Sequence, residues 1–168
     1  MERPEGIDRF AASAHRYCNW VETRGLSLQR ELGEALHVLS RLYASALTLP
    51  AVRPLSQSAP ARLKWDQQSV EQRFRFLPSR YYSDVFDPWE MSEEPVVADL
   101  ADDLRDIYLD LQMGLAALES SPWQEAAWIW RNSFCTHWGR HAVSALKVLH
   151  GLAMKEIWVA PAANVDEG

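Results

Sequence analysis

The sequence predicts an all-α fold, a bundle of about five mostly antiparallel helices. Apolar residues recur at steps of three and four over several long stretches, the mark of helices with one buried face. No stretch keeps a period of two, and no Asn-Gly hairpin signal is present. The first two helical stretches are separated by a short break, which favours an antiparallel pair.

Helix one is expected over residues 6–23, with Ile7, Phe10, Ala14, Tyr17 and Val21 as its buried face and Gly25 breaking the pattern. Helix two runs from Ser27, a candidate N-cap, to Leu47, on a stripe of Leu28, Leu32, Leu36, Leu39, Tyr43 and Leu47. The stretch 49–65 carries Pro50, Pro54 and Pro60 without any period and is expected as a long loop. A shorter third helix spans Asp66 to Leu77 and stops at Pro78. The aromatic segment 79–95 packs on the body, with Pro88 disfavouring helix at Asp87. Helix four starts near Pro95 and runs to Glu119 on Val97, Leu100, Leu104, Ile107, Tyr108, Leu111, Leu115 and Leu118. Helix five opens at Pro122 and continues to Lys155, its stripe being Trp130, Phe134, Trp138, His141, Ala145, Val148 and Leu152.

The length of 168 residues fits a single helical domain over 1–168, large enough to hold a core without disulfide or metal. The formal charge of -6 and pI near 5.3 argue against nucleic acid and anionic lipid as partners. Cys18 and Cys135 form no framework, which suits a reducing cytoplasm. The N-terminus lacks the basic start and apolar core of a signal peptide, and no apolar run is long enough for a transmembrane helix. Eight tryptophans are unusual and mark core anchors or an interface.

The stretch DLADDLRDIYLD, residues 99–110, puts five aspartates on one helix. At about 100° per residue, Asp99, Asp103, Asp106 and Asp110 fall within roughly 60° of one another, bordering the apolar face. The five close pairs among these and Asp102 cost on the order of 1–2.5 kcal/mol in repulsion. The helix N-terminus offsets this for Asp99, and Arg105 helps Asp102, but no base stands three or four residues from Asp106 or Asp110. Charge from other helices is therefore expected. Arg9, Arg16, Arg131 and Arg140 are the expected suppliers, with Asp103, Asp106 and Asp110 as tie points. A divalent metal or water alone are the alternatives.

His137 and His141 stand at i and i+4, a spacing that puts both imidazoles on one helix face, as in helical zinc sites. The glutamate of HExxH is missing, since Trp138 takes its place, so the expected reading is core-edge histidines bonded to aspartate or backbone. If helices four and five are antiparallel neighbours, Asp–His contacts follow even without metal. A di-iron centre fits poorly, because helices four and five carry no ExxH. No Gly-rich phosphate loop, GxSxG elbow or Cys–His nucleophile pattern is present.

Two stretches, ADLADDLRDIYLDLQMGL at 98–115 and SFCTHWGRHAVSALKVLH at 133–150, resemble an uncharacterised bacterial family, domain of unknown function 5063. The family pattern runs Asp-Leu-Ala-Asp-Ile-Tyr-x-Asp-Leu, then Phe, Trp-Gly and Ala-Leu-x-x-Leu-His. Here it corresponds to Asp103 through Leu111, with Arg105 in place of Ala, then Phe134, Trp138-Gly139 and Ala145 to His150. RYYSDVFDPWE, 80–90, is similar to its middle region. The resemblance implies a small helical bacterial protein with no established activity or cofactor. Some members read Tyr-Trp-Gly where this chain has His137-Trp138-Gly139 and lack a counterpart of His141, which favours a structural role for the aspartates.

The leading expectation is thus a cytoplasmic bundle of unknown biochemical function, without catalysis or cofactor, acting through an unknown protein partner or as a homo-oligomer. The alternative is a metal-binding bundle, extending to a metal-dependent hydrolase, with ligands drawn from Asp99, Asp103, Asp106, Asp110, His137 and His141.

Overall fold

The computed structural model describes residues 3–23, 25, 27–54 and 65–158. Its architecture is a helical bundle: α1 (Glu5–Glu22), α2 (Leu28–Ala46), α3 (Gln67–Arg73), α4 (Leu100–Ser120), α5 (Trp123–Ser133) and α6 (Gly139–Trp158). Two short strands, β1 (Tyr81–Asp84) and β2 (Val96–Asp99), lie between α3 and α4. Helix α1 packs on α2 and α4, α4 packs on α5 and α6, and α6 returns to α2. Most of the loop expected at 49–65 lies outside the described residues. No described helix is long and apolar enough to cross a membrane.

The predicted face of α1 is the real one: Ile7, Phe10, Ala14, Tyr17 and Val21 are all buried. Tyr17 keeps its hydroxyl satisfied deep in the core by donating to the Leu104 carbonyl at 2.9 Å. The stripe of α2 turns further round than expected. Ala35, Val38, Leu42 and Ala46 join Leu32 and Leu39 in the core, while Leu47 is exposed.

The strands correct the expectation of a strand-free chain. Tyr81 pairs with Asp99 and Asp84 with Val96 in antiparallel register. Each strand has only four residues, too few to establish a period of two in the sequence. The start of α4 moves accordingly, from Pro95 to Leu100, and Val97 stands out in solvent instead of in the core.

The long last helix is interrupted by a π-helical turn, Phe134–Trp138, where α5 passes into α6. A π turn takes up nearly one residue more than an α turn. Beyond it the buried positions are Ala142, Ala145, Leu149 and Ala153, whereas an unbroken 3.6 period places them at His141, Ala145, Val148 and Leu152. The turn therefore moves most of the buried set along by one residue and leaves His137 and His141 at the core's rim. Gly139 permits it: a Cβ there would lie 2.3 Å from the Phe134 carbonyl oxygen.

Candidate functional site

Helix α4 presents its aspartates to the π turn and the start of α6, and the histidines meet them. The Nδ1 of His137 lies 2.8 Å from Asp110 Oδ2, and the Nδ1 of His141 lies 2.6 Å from Asp103 Oδ1. A carboxylate beside Nδ1 holds the proton there and leaves Nε2 as the nitrogen each ring can offer. The two imidazole centroids are 4.8 Å apart. Asp106 sits between them, its Oδ2 3.9 Å from His137 Nε2. Ligand atoms of Asp106, His137 and His141 all fall within 4.8 Å of one another.

Each carboxylate is oriented in turn. Asp103 is buried and receives the Tyr82 hydroxyl from β1 at 2.6 Å. Asp106 accepts from the Arg105 guanidinium at 3.0 and 3.3 Å through Oδ1, which leaves Oδ2 toward the histidines. Asp110 is buried against the helix pair. Burial pushes the Asp110 carboxyl above its ordinary pKa, against the hydrogen bond from His137. The hydrogen bond to Asp103 raises the His141 imidazole above its ordinary value, outweighing desolvation. Desolvation, then the bond to Asp103, push the Tyr82 phenol up, so it stays a donor at neutral pH.

The Asp–His contacts are those the sequence leads one to expect, but the arginine partners are not. Asp99 leaves the stripe. It is the N-cap of α4, accepting from the Ala101 amide at 3.0 Å, and is gripped by Arg80 through two bonds. Against the desolvation of its partial burial, the Arg80 bonds keep its carboxyl below the usual range. The four expected arginines go elsewhere. Arg9 pairs with Glu5, Arg16 with Glu34, Arg131 donates to the Leu49 carbonyl, and Arg140 stacks over Phe86. Arg105 serves both Asp102 and Asp106, although it is adjacent to Asp106 and not a turn away. Of the six candidates, Asp106, His137 and His141 converge, Asp103 and Asp110 stand behind the imidazoles, and Asp99 is outside. Tyr82 and Arg80 carried no signal in the sequence, because strand pairing across 11 intervening residues brings them to α4.

The His141–Asp103 pair gives a pH signature. A histidine whose folded pKa is raised stabilises fully below its unfolded value of about 6.5 and loses that contribution as pH rises through the folded value. With a chelator present, the stability gap between wild type and His141→Gln should be widest near pH 6 and narrow toward pH 9, read from urea midpoints. A gap that widens with pH would rule out this pairing.

The sequence model of the family described as "Domain of unknown function (DUF5063)" matches residues 2–155. The fold is similar to the crystal structure of protein BF1032 from Bacteroides fragilis, with a TM-score of 0.70 and 17% identity over 88% of this chain and 92% of that one. No curated protein sequence matches the chain significantly.

Proposed function

We propose that this chain, which belongs to the DUF5063 family, is a metal-binding protein that holds a divalent transition ion through Asp106, His137 and His141. One observation carries the reading. Two imidazoles each have Nδ1 on a buried carboxylate, His137 turns its Nε2 toward a third carboxylate, Asp106, and ligand atoms of all three residues lie within 4.8 Å of one another. Carboxylate–histidine pairs are how proteins orient metal-ligating imidazoles and raise their basicity. Two nitrogens and a carboxylate oxygen suit zinc or iron(II) better than calcium or magnesium.

Charge supports the same conclusion. Asp102 and Asp106 share the Arg105 guanidinium while Asp103 and Asp110 take the imidazoles, so the carboxylates outnumber the guanidinium paired with them, which favours a bound cation. Ligands of a tetrahedral ion lie roughly 3.4 Å apart, so the three groups must close by up to about 1.5 Å. His137, half-exposed at the rim, has room to move. Three protein ligands leave a coordination position for water, the property that separates reactive zinc sites from closed structural ones. Metal-assisted hydrolysis is the reaction class such a site serves. The compartment we propose is the cytoplasm, supported by the free Cys18 and Cys135.

The test is binding of zinc and of cobalt(II), followed by competition with a chromogenic chelator and by elemental analysis. A single ion per chain is expected. Its binding should disappear in Asp106→Ala and His137→Ala and weaken about 10–100-fold in Asp110→Asn, which keeps the shape of the side chain but loses its charge. Equal affinity in wild type and a His137→Ala/His141→Ala double variant would refute the site.

A further inference from the structure

The loop between β1 and β2, residues 85–95, displays large apolar side chains to solvent. Trp89 is 90% exposed and Met91 93%, and Phe86 in the same loop and Val97 just after it are exposed too. Exposed tryptophan and methionine this close along the chain are uncommon outside binding sites. The loop is held in shape. The Glu93 carboxylate accepts the Phe86 and Asp87 amides at 3.1 and 2.7 Å, and Asp87 Oδ1 accepts the Trp89 amide at 2.9 Å. It is also fastened to α6, because Ser144 donates to Asp84 at 2.7 Å and Arg140 lies 4.5 Å over the Phe86 ring. A preorganised loop gives up little conformational entropy on binding, so the area of Trp89 converts efficiently into affinity.

Charge identifies the occupant. Asp87, Glu90, Glu93 and Glu94 fall within this segment, and the chain has no lysine or arginine between Arg80 and Arg105, although Arg140 of α6 reaches the loop at Phe86. We propose that the β1–β2 loop is a docking surface for a protein segment that sets lysine or arginine around a row of apolar side chains. Trp89 and Met91 would be its anchors, methionine adapting to the partner's shape and the carboxylates steering the approach. A second copy of the chain would bring four carboxylates against four, which repels, as would a nucleic acid or an anionic membrane. This surface does not depend on the metal reading, and its test involves no metal.

The experiment compares three short helical peptides by calorimetry: one of leucine and lysine with an apolar face, one with glutamate for lysine, and one with serine for leucine. The Leu/Lys peptide is expected to bind, to weaken with added salt, and to lose about tenfold or more in affinity with Trp89→Ala. Glu94→Lys, a fully surface change, should weaken it as well, and the other two peptides should bind far more weakly. Absence of binding by the Leu/Lys peptide, or equal binding by wild type and Trp89→Ala, overturns the proposal. So does concentration-dependent dimerisation in sedimentation that Trp89→Ala removes, which would make a second copy the occupant.

Discussion

Gly114→Ala should destabilise the protein by about 3 kcal/mol, although alanine is the better helix former by about 1 kcal/mol. Helix α5 lays the indole of Trp130 directly on the backbone of α4. A Cβ at Gly114 would fall 2.0 Å from Trp130 Nε1 and 2.4 Å from two further ring atoms. Trp130 is fully buried and donates its N–H to the Leu111 carbonyl at 3.1 Å. An added methyl must push the indole away, which strains the packing by about 1–3 kcal/mol. It also breaks a buried hydrogen bond, at about 1–3 kcal/mol for the stranded groups. Together these outweigh the gain in propensity. For a chain of this length the melting midpoint should fall by about 6–12 °C. Gly33→Ala is the control: beyond its own stretch of helix backbone, nothing among the described residues lies within 4 Å of its Cβ position, so that change should be neutral or stabilising by up to about 1 kcal/mol. A Gly114→Ala variant as stable as Gly33→Ala would show that α4 and α5 do not meet through this indole.

The second large effect belongs to Arg73, whose side chain is 7% exposed where it meets Glu31, itself 3% exposed, at 2.6 Å. Arg73 comes from the end of α3 and is fixed on three sides. Its Nε donates to the Trp20 carbonyl at 3.2 Å, and its guanidinium lies 5.0 Å from the rings of Trp20 and Phe76. Trp20 Nε1 also donates to Glu31, at 3.1 Å. Replacing Arg73 with methionine retains much of the volume but removes the guanidinium that meets the buried Glu31 carboxylate and the bond to the Trp20 carbonyl. The expected cost is about 1.5–3 kcal/mol, the worth of a buried hydrogen bond to a charged group, above the 0–1 kcal/mol of a surface pair. Adding Glu31→Gln should recover most of it, because the amide still accepts from Trp20 and no buried charge remains. The measurement is a double-mutant cycle in urea. A cost below about 1 kcal/mol for Arg73→Met would mean that water reaches the pair and that α3 is fastened some other way.

Both residues show how far a sequence can be read. The helical stripes of α1 and α4 are legible because burial of one face imposes a 3.6-residue period on the residues themselves, and every period needs only local spacing. Nothing local marks Gly114 or Arg73 as special. Their roles exist only once α5 crosses α4 and α3 lies over α1, since a close approach and a buried partner are properties of two elements together.

The site divides in the same way. The family membership, the helical class and the crowding of aspartates opposite a His-x-x-x-His spacing all follow from the order of residues. Which partner each aspartate takes does not. Rotation about a helix axis permits Asp103, Asp106 and Asp110 to face arginine, histidine or water, and like-charge repulsion says only that some partner is needed. The π turn decided the matter by advancing the apolar stripe of α6 one residue past the histidines, so that Ala142 and Leu149 entered the core and His137 and His141 were left at its rim beside α4. The hairpin decided the rest. Its register carries Tyr82 onto Asp103 and Arg80 onto Asp99, contacts between residues about 20 positions apart that depend on strand pairing. Spacing along the chain determined which groups could share a face, and the packing of one helix against another determined which of them met.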